Sequence, residues 1–73
     1  MMYKVYTKPD CPYCVKAKSL LKMKGLEFTE VKIGTDVTRE FVMENFPSMR
    51  SVPIITKDDT LVGGYTQLEE SLK

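Results

Sequence analysis

Apolar and polar positions alternate over residues 3–7, and a helical spacing follows soon after them. The segment YKVYT is rich in β-branched and aromatic residues and predicts a first strand, which Pro9 and Asp10 interrupt. From Pro12 onward the apolar residues fall on one stripe of a helix: Cys14, Ala17, Leu20 and Leu21. This helix is expected to stop at Gly25, a residue type common just past a helix end.

A second strand is predicted over residues 26–33, LEFTEVKI, with Val31 and Ile33 pointing to the same face. A strand, a helix and another strand in this order form a βαβ unit. Such a unit pairs its two strands in parallel through a right-handed crossover. The first half of the chain therefore predicts a parallel pair of strands with a helix packed on one face.

A second helix is predicted to begin after Thr38, a favourable N-cap, with Val37 and Val42 spaced as a hydrophobic staple. We expect this helix to end before Pro47. Its inward-facing residues are predicted to be Phe41, Val42 and Phe46.

The last third of the chain predicts a hairpin and a short helix. Residues 53–56 and 60–63 form two short apolar strands around the turn KDDT. Thr66 and Glu69 have the spacing of a capping box, so the final helix is expected to start at Thr66. The order β-α-β-α-β-β-α predicts an α/β fold in which a four-stranded mixed sheet is covered by three helices. Residues 1–73 are expected to form a single domain.

Charge and composition narrow the function classes. Eleven basic and ten acidic side chains leave a formal charge of +1, whereas proteins that bind nucleic acids or membrane surfaces concentrate positive charge. No segment has the length of a membrane span or the apolar region of a signal peptide, so we expect a cytoplasmic protein. The chain has no histidine, which excludes Cys–His and Ser–His catalysis.

Two cysteines lie in the segment TKPDCPYCVKAK, at the predicted junction of strand and helix. Pro12 suits the first helical position, which places Cys11 at the N-cap and Cys14 in the first turn. The unpaired N–H groups and the positive end of the helix dipole favour an anion at Cys11, and thiols at such positions are often thiolates. The spacing lets Cys14 attack a mixed disulfide formed on Cys11. We therefore predict Cys11 as the nucleophile and Cys14 as the resolving cysteine.

Two other interpretations of the cysteine pair stay open. A structural disulfide would close a very short loop in a reducing compartment, where such bonds are uncommon. A metal site within one chain would have two thiolates and no histidine, so no metal is expected, although a site shared between two chains remains an alternative. A CxxC motif after a strand and before a helix is typical of redox proteins, and we favour that interpretation.

Three motifs together resemble a known family. CPYC followed by VKAK, then SVP at residues 51–53, then GGYTQL at residues 63–68, is similar to the dithiol glutaredoxins of the thioredoxin-fold superfamily, particularly short bacterial and bacteriophage-type members. The resemblance implies a thioredoxin-like fold and a glutathione-linked oxidoreductase that reduces protein disulfides and glutathione mixed disulfides. It also implies glutathione as co-substrate without a tightly bound cofactor, disulfide-containing protein partners such as ribonucleotide reductase, and a monomer.

The resemblance also implies a glutathione groove. In it the Val52–Pro53 bond is cis and lies beside the cysteines. The implied binding residues are Lys8, Tyr13, Arg50, Val52, Pro53, Gly64, Thr66 and Gln67.

Gln67 departs from the family pattern, because many members carry Asp there. A neutral amide lacks the stronger, charge-assisted hydrogen bond that a carboxylate makes to an ammonium group. Two rival functions therefore stay open: a small redoxin reduced by thioredoxin reductase, and an iron–sulfur or metal carrier that uses Cys11 from two chains.

Overall fold

A four-stranded mixed sheet forms the centre of the protein, in a computed structural model that describes residues 2–49 and 51–72. The strands lie in the order β2-β1-β3-β4, with β1 parallel to β2 and antiparallel to β3, and with β3 antiparallel to β4. The elements are β1 (Tyr3–Thr7), α1 (Pro12–Met23), β2 (Phe28–Lys32), α2 (Arg39–Asn45), β3 (Ile54–Lys57), β4 (Thr60–Gly63) and α3 (Tyr65–Ser71). The predicted fold class and element order are confirmed.

Successive residues of β1 point to opposite faces of the sheet and divide the core into two parts. On one face, the sheet packs against α1 and α3 through the buried residues Tyr3, Val5, Ala17, Leu21, Ile55 and Leu68. On the other face, the sheet packs against α2 through Tyr6, Val42 and Ile54. Both cysteines lie at the start of α1, on this first face of the sheet.

Helix α1 is held at both ends by local features of the sequence. Pro12 occupies the first turn, where its missing N–H costs no helical hydrogen bond. At the other end Gly25 has φ of +70°, in the left-handed region that glycine adopts readily. The N–H groups of Gly25 and Leu26 donate to the carbonyls of Lys22 and Leu21, both at 3.0 Å, which is a Schellman motif. These features determine where α1 begins and ends, and the start at Pro12 sets the position of the cysteines.

Helix α2 confirms one part of the prediction and corrects another. Thr38 Oγ1 accepts a hydrogen bond from the Phe41 N–H at 3.0 Å, so Thr38 is the N-cap. Val37 packs against the same cluster as Val42, as a hydrophobic staple requires. The inward position predicted for Phe41 is wrong, because its side chain is 42% exposed. In a helix of seven residues, only a narrow row of side chains can face the sheet. Val42 and Phe46 occupy that row.

Helix α3 begins one residue earlier than predicted. It starts at Tyr65, with Gly64 as the N-cap residue, so the capping box expected between Thr66 and Glu69 is wrong. The side chain three residues after Gly64 does the capping instead, since Gln67 Oε1 accepts the Gly64 N–H at 3.0 Å. Within residues 2–49 and 51–72, none of the helices has both the length and the apolar character needed to cross a membrane.

Candidate redox site

Cys11 lies where the chain passes from β1 into α1. The preceding Asp10 has φ of +60°, a left-handed conformation that Asp tolerates better than most residues. Cys11 itself is extended and forms the N-cap of α1. Its Sγ accepts a hydrogen bond from the Cys14 N–H at 3.2 Å. One of the otherwise unpaired N–H groups of the helix start is therefore directed at the Cys11 sulfur, where it stabilises negative charge.

The two thiols differ sharply in their surroundings. Both cysteines are free, but Cys11 is partly exposed whereas Cys14 is only 2% exposed. Burial, followed by the hydrogen bond with Cys11, raises the pKa of the Cys14 thiol to about 12. The backbone N–H of Lys8 and the positive charge of Lys18 act in the opposite direction. At neutral pH Cys14 is therefore a protonated thiol directly behind the accessible sulfur of Cys11.

The loop before β3 lies against Cys11 on the other side. The Val52–Pro53 peptide bond is cis, which confirms what the family resemblance implied. The Cys11 Sγ lies 3.8 Å from the Val52 carbonyl oxygen, within reach of a thiol hydrogen bond. A methyl group at Gly64 would contact the carbonyl oxygen of Pro53 at 3.5 Å. The start of α3 therefore lies directly beside this loop.

The side chain of Gln67 folds back over the glycine pair that precedes α3. Gln67 accepts the hydrogen bond from the Gly64 N–H. Its Cγ atom also lies so close to Gly63 that a Cβ atom added at Gly63 would be only 2.8 Å away. Gly63 also has φ of +128°, so a larger residue there would be strained as well as crowded. The amide oxygen of Gln67 is thus already engaged within the protein.

An aromatic contact joins the cysteine helix to α3. The exposed ring of Tyr13 lies 5.9 Å from the ring of Tyr65, and the ammonium of Lys16 lies 5.0 Å from the centre of the Tyr13 ring. Sequence reasoning missed Tyr65 as a site residue. Its position inside the GGYTQL motif, where it is the first residue of α3, was the available indication.

A pocket of about 360 Å³ opens beside both cysteines. Five charged residues line it: Lys8, Asp10, Lys18, Glu30 and Lys32.

Two of these residues form an ion pair in the pocket. Lys18 Nζ lies 3.1 Å from Glu30 Oε2, which also accepts a hydrogen bond from Thr7 Oγ1 at 2.8 Å. The bond from Thr7, followed by the bond and charge of Lys18, lowers the pKa of the Glu30 carboxyl. Sequence reasoning did not find this network, because its members come from three separate elements.

The family can be assigned from a match over most of the chain. The model of the glutaredoxin family matches residues 4–62. The chain belongs to the glutaredoxin family. An uncharacterised glutaredoxin-like 8.6 kDa protein of Clostridium pasteurianum is 32% identical over 68 residues, covering 93% of this chain and 91% of the relative. Glutaredoxin 3 of Escherichia coli K12 is 38% identical over 64 residues, covering 88% of this chain and 77% of the relative.

Solved glutaredoxins share the fold. Glutaredoxin 1 of Francisella tularensis superposes with a TM-score of 0.80 at 31% identity, over 96% of this chain and 90% of that one. Reduced Escherichia coli glutaredoxin gives a TM-score of 0.82 at 26% identity, over 99% and 93% of the two chains. The protein is therefore a thiol–disulfide redox protein with a thioredoxin-like fold.

The structure of this glutaredoxin brings together most of the residues predicted for the groove. Contacts connect Cys11 to Cys14 and Val52, and Gly64 to Pro53 and Gln67. Tyr13 borders this region, and Lys8 lines the pocket. Thr66 is exposed in the first turn of α3. Arg50 lies outside the described residues.

A metal-binding group of three or more Cys, Asp or Glu side chains does not occur in the part of the chain that the structure describes.

Proposed function

We propose that this glutaredoxin reduces protein disulfides and glutathione mixed disulfides, with glutathione as its co-substrate. One observation carries the proposal: a partly exposed sulfur at a helix N-terminus accepts the N–H of a second, buried cysteine. The first sulfur can therefore be approached from outside, whereas the second can react only with a partner held on the first. This asymmetry is what a two-step dithiol mechanism requires.

In the first step the Cys11 thiolate attacks a sulfur of the substrate disulfide. A bond forms between Cys11 and that sulfur, the disulfide bond of the substrate breaks, and one substrate thiolate leaves and takes up a proton. The Cys14 N–H, 3.2 Å from the Cys11 sulfur, stabilises the attacking thiolate. The backbone of Val52, whose carbonyl lies beside Cys11, is proposed to align the substrate as an added strand.

In the second step Cys14 loses its proton and attacks the Cys11 sulfur of the mixed disulfide. The Cys11–Cys14 disulfide forms, the mixed disulfide bond breaks, and the second substrate thiolate leaves and takes up a proton, so that two electrons have passed from the dithiol to the substrate. Two molecules of glutathione then restore the dithiol and become glutathione disulfide. The groove proposed for glutathione contains Lys8, Tyr13, Val52, Pro53, Gly64, Thr66 and Gln67, and Arg50 is included on the resemblance alone.

The choice of glutathione as reductant rests on the family. A buckwheat glutaredoxin has been solved as a glutathione complex and superposes with a TM-score of 0.81, but at 20% identity it supports the fold alone. The neutral side chain of Gln67, with its oxygen already bonded to Gly64, gives no charged partner for the ammonium of glutathione. This feature keeps thioredoxin reductase as the rival source of electrons.

Coupled assays separate the two reductants. The substrate to be reduced is a glutathione mixed disulfide in one assay and insulin in another. Both assays are run with NADPH and one of two electron sources. The first source is glutathione with glutathione reductase, and the second is thioredoxin reductase alone. We expect turnover with the glutathione system. Turnover with thioredoxin reductase alone would show that thioredoxin reductase, and not glutathione, is the source of electrons.

The other predicted properties have their own tests. Ribonucleotide reductase supplied with this protein as its only hydrogen donor tests the proposed target, and cell fractionation tests the cytoplasmic location. Anaerobically purified protein is expected to be a colourless monomer. A visible absorption band in a dimer would favour the iron–sulfur carrier instead.

A further inference from the structure

The ion pair of Lys18 and Glu30 lies next to the thiol that must lose a proton during resolution. Cys14 is 2% exposed and lines the same pocket as Lys18 and Glu30. Lys18 follows Cys14 by four residues on α1, a spacing that places two side chains on the same face of a helix. The pocket thus gathers the resolving thiol and an ammonium group on one side of α1.

The ammonium is held in place by residues of the sheet. Val5 lies opposite Glu30 in the parallel pair, so the Glu30 side chain points to the same face as Val5, toward α1. There Glu30 Oε2 lies 3.1 Å from Lys18 Nζ and accepts the hydroxyl of Thr7 at 2.8 Å. Thr7 is itself 3% exposed. The hydroxyl of Thr7 on the sheet therefore holds the Glu30 carboxylate in place, and the carboxylate in turn restrains the position of the Lys18 ammonium.

We propose that Lys18, positioned by Glu30 and Thr7, assists the resolving step by stabilising the thiolate that forms on Cys14 as it attacks the mixed disulfide on Cys11. This inference rests on the proposed roles of the two cysteines. The proton of Cys14 passes to solvent, which the Lys18 side chain contacts through its 27% exposed surface. Lys18 and Glu30 act through Cys14 and are positioning residues.

The charges around the pocket agree with this assignment. Burial has the largest effect on the pKa of Cys14 and raises it. The backbone N–H of Lys8 lowers this pKa, and the charge of Lys18 lowers it to a smaller extent. Asp10 and Lys32, the remaining charged residues that line the pocket, are both exposed.

The expected effect of removing Lys18 is modest and specific. A neighbouring charge shifts a pKa by about one unit at the lower end of the usual range. One unit reduces the thiolate fraction of Cys14 about tenfold. The thiolate that remains is about threefold more nucleophilic, because nucleophilicity rises with pKa. Lys18→Met should therefore slow the resolving step about threefold and leave the attack by Cys11 unchanged.

Stopped-flow reaction of the reduced protein with dithiobis-nitrobenzoate separates the two steps, since each releases one coloured thiolate. The first release reports the attack by Cys11, and the second reports resolution by Cys14. We expect Lys18→Met to slow the second release, to change the first release no more than Lys22→Met does, and we expect Lys18→Arg, which keeps the charge, to restore the second release. Lys22→Met, an equal loss of charge at an exposed position one turn further along α1, should alter neither release beyond its effect on attraction of the anionic reagent.

Each contrary result has a distinct meaning. An unchanged second release in Lys18→Met, an equal slowing of both releases, or a Lys18→Arg protein as slow as Lys18→Met would overturn the role of Lys18. A second release that persists in Cys14→Ser would instead overturn the assignment of Cys14 as the resolving cysteine. The experiment therefore distinguishes a failure of the role proposed for Lys18 from a failure of the roles proposed for the two cysteines.

Discussion

Cys11 and Cys14 stand three residues apart in the same helical turn, but they belong to two different regions of the molecule. Cys11 lies at the surface, between the N-terminus of α1 and the Val52–Pro53 loop. Cys14 lies in the interior, 2% exposed, above the face of the sheet that carries the larger core cluster. The same residue type thus acquires two reactivities: the helix N–H supports charge on one sulfur, and burial keeps the other protonated. In the proposed mechanism, position within one turn of the helix therefore decides which sulfur reacts first.

Single substitutions of the cysteines should give the largest difference between the two regions. We expect Cys11→Ser to abolish reduction of both insulin and glutathione mixed disulfides, because the accessible thiol is lost. Cys14→Ser should lose the reduction of insulin but retain turnover of glutathionylated substrates, since glutathione can resolve the mixed disulfide on Cys11. The coupled assay with glutathione reductase measures both activities. Full dithiol activity in Cys11→Ser would be incompatible with the assigned roles.

Alkylation should show the same contrast in the absence of substrate. Burial is the largest of the causes that raise the pKa of Cys14 from 9.0 to about 12, and it persists when Cys11 is replaced, so the thiolate fraction of Cys14 stays low at neutral pH. Iodoacetamide should therefore modify Cys11 in the reduced Cys14→Ser protein and leave Cys14 almost unmodified in the Cys11→Ser protein. Mass spectrometry measures the extent of labelling over time. Both variants should label at similar rates in urea, where the difference in burial is gone; similar rates in the folded proteins would contradict the contrast.

The sequence pattern was sufficient to predict the helix start that surrounds Cys11. It was insufficient to predict the side chains that surround Cys14. Pro12 and the CxxC spacing placed both cysteines at the start of a helix, and the structure has them there. The ion pair of Lys18 with Glu30 joins a helix to a strand 12 residues away, and it depends on the register between β1 and β2. Periodicity within one element carries no information about such a register.

The beginning of α3 shows a second limit of sequence patterns. Residues 64 and 67 have the same spacing as residues 66 and 69, so both pairs satisfy a capping pattern. Thr66 has the better side chain for an N-cap, yet Gly64 takes the position and Gln67 bonds back to it. A Cβ atom at Gly64 would lie 3.5 Å from the Pro53 carbonyl oxygen, so the loop before β3 borders the residue at which the helix starts. Such a neighbour is a tertiary feature that no local pattern contains.

The smallest expected effect concerns the anchoring of the region around Cys14. Glu30 has a lowered pKa in the folded protein, so its ionised form stabilises the fold. That contribution is present above the ordinary pKa of a Glu carboxyl and is lost as the pH falls through the lowered folded value. Glu30→Gln should therefore reduce the free energy of unfolding by less than about 1 kcal/mol at pH 7, since the pair is partly exposed.

This difference should disappear in acid, where the carboxyl of the unmodified protein is protonated as well. Urea denaturation of the reduced protein at neutral pH and at an acid pH below the lowered pKa of Glu30 measures it. Glu27→Gln, at an exposed position three residues earlier, is the matched control and should change the stability little at either pH. A loss in Glu30→Gln that stays constant with pH would mean that the charge of Glu30 does not stabilise the fold. Glu30 would then support the cysteine helix by the packing and hydrogen bonding of its side chain, and Lys18 would need another partner to hold its ammonium beside Cys14.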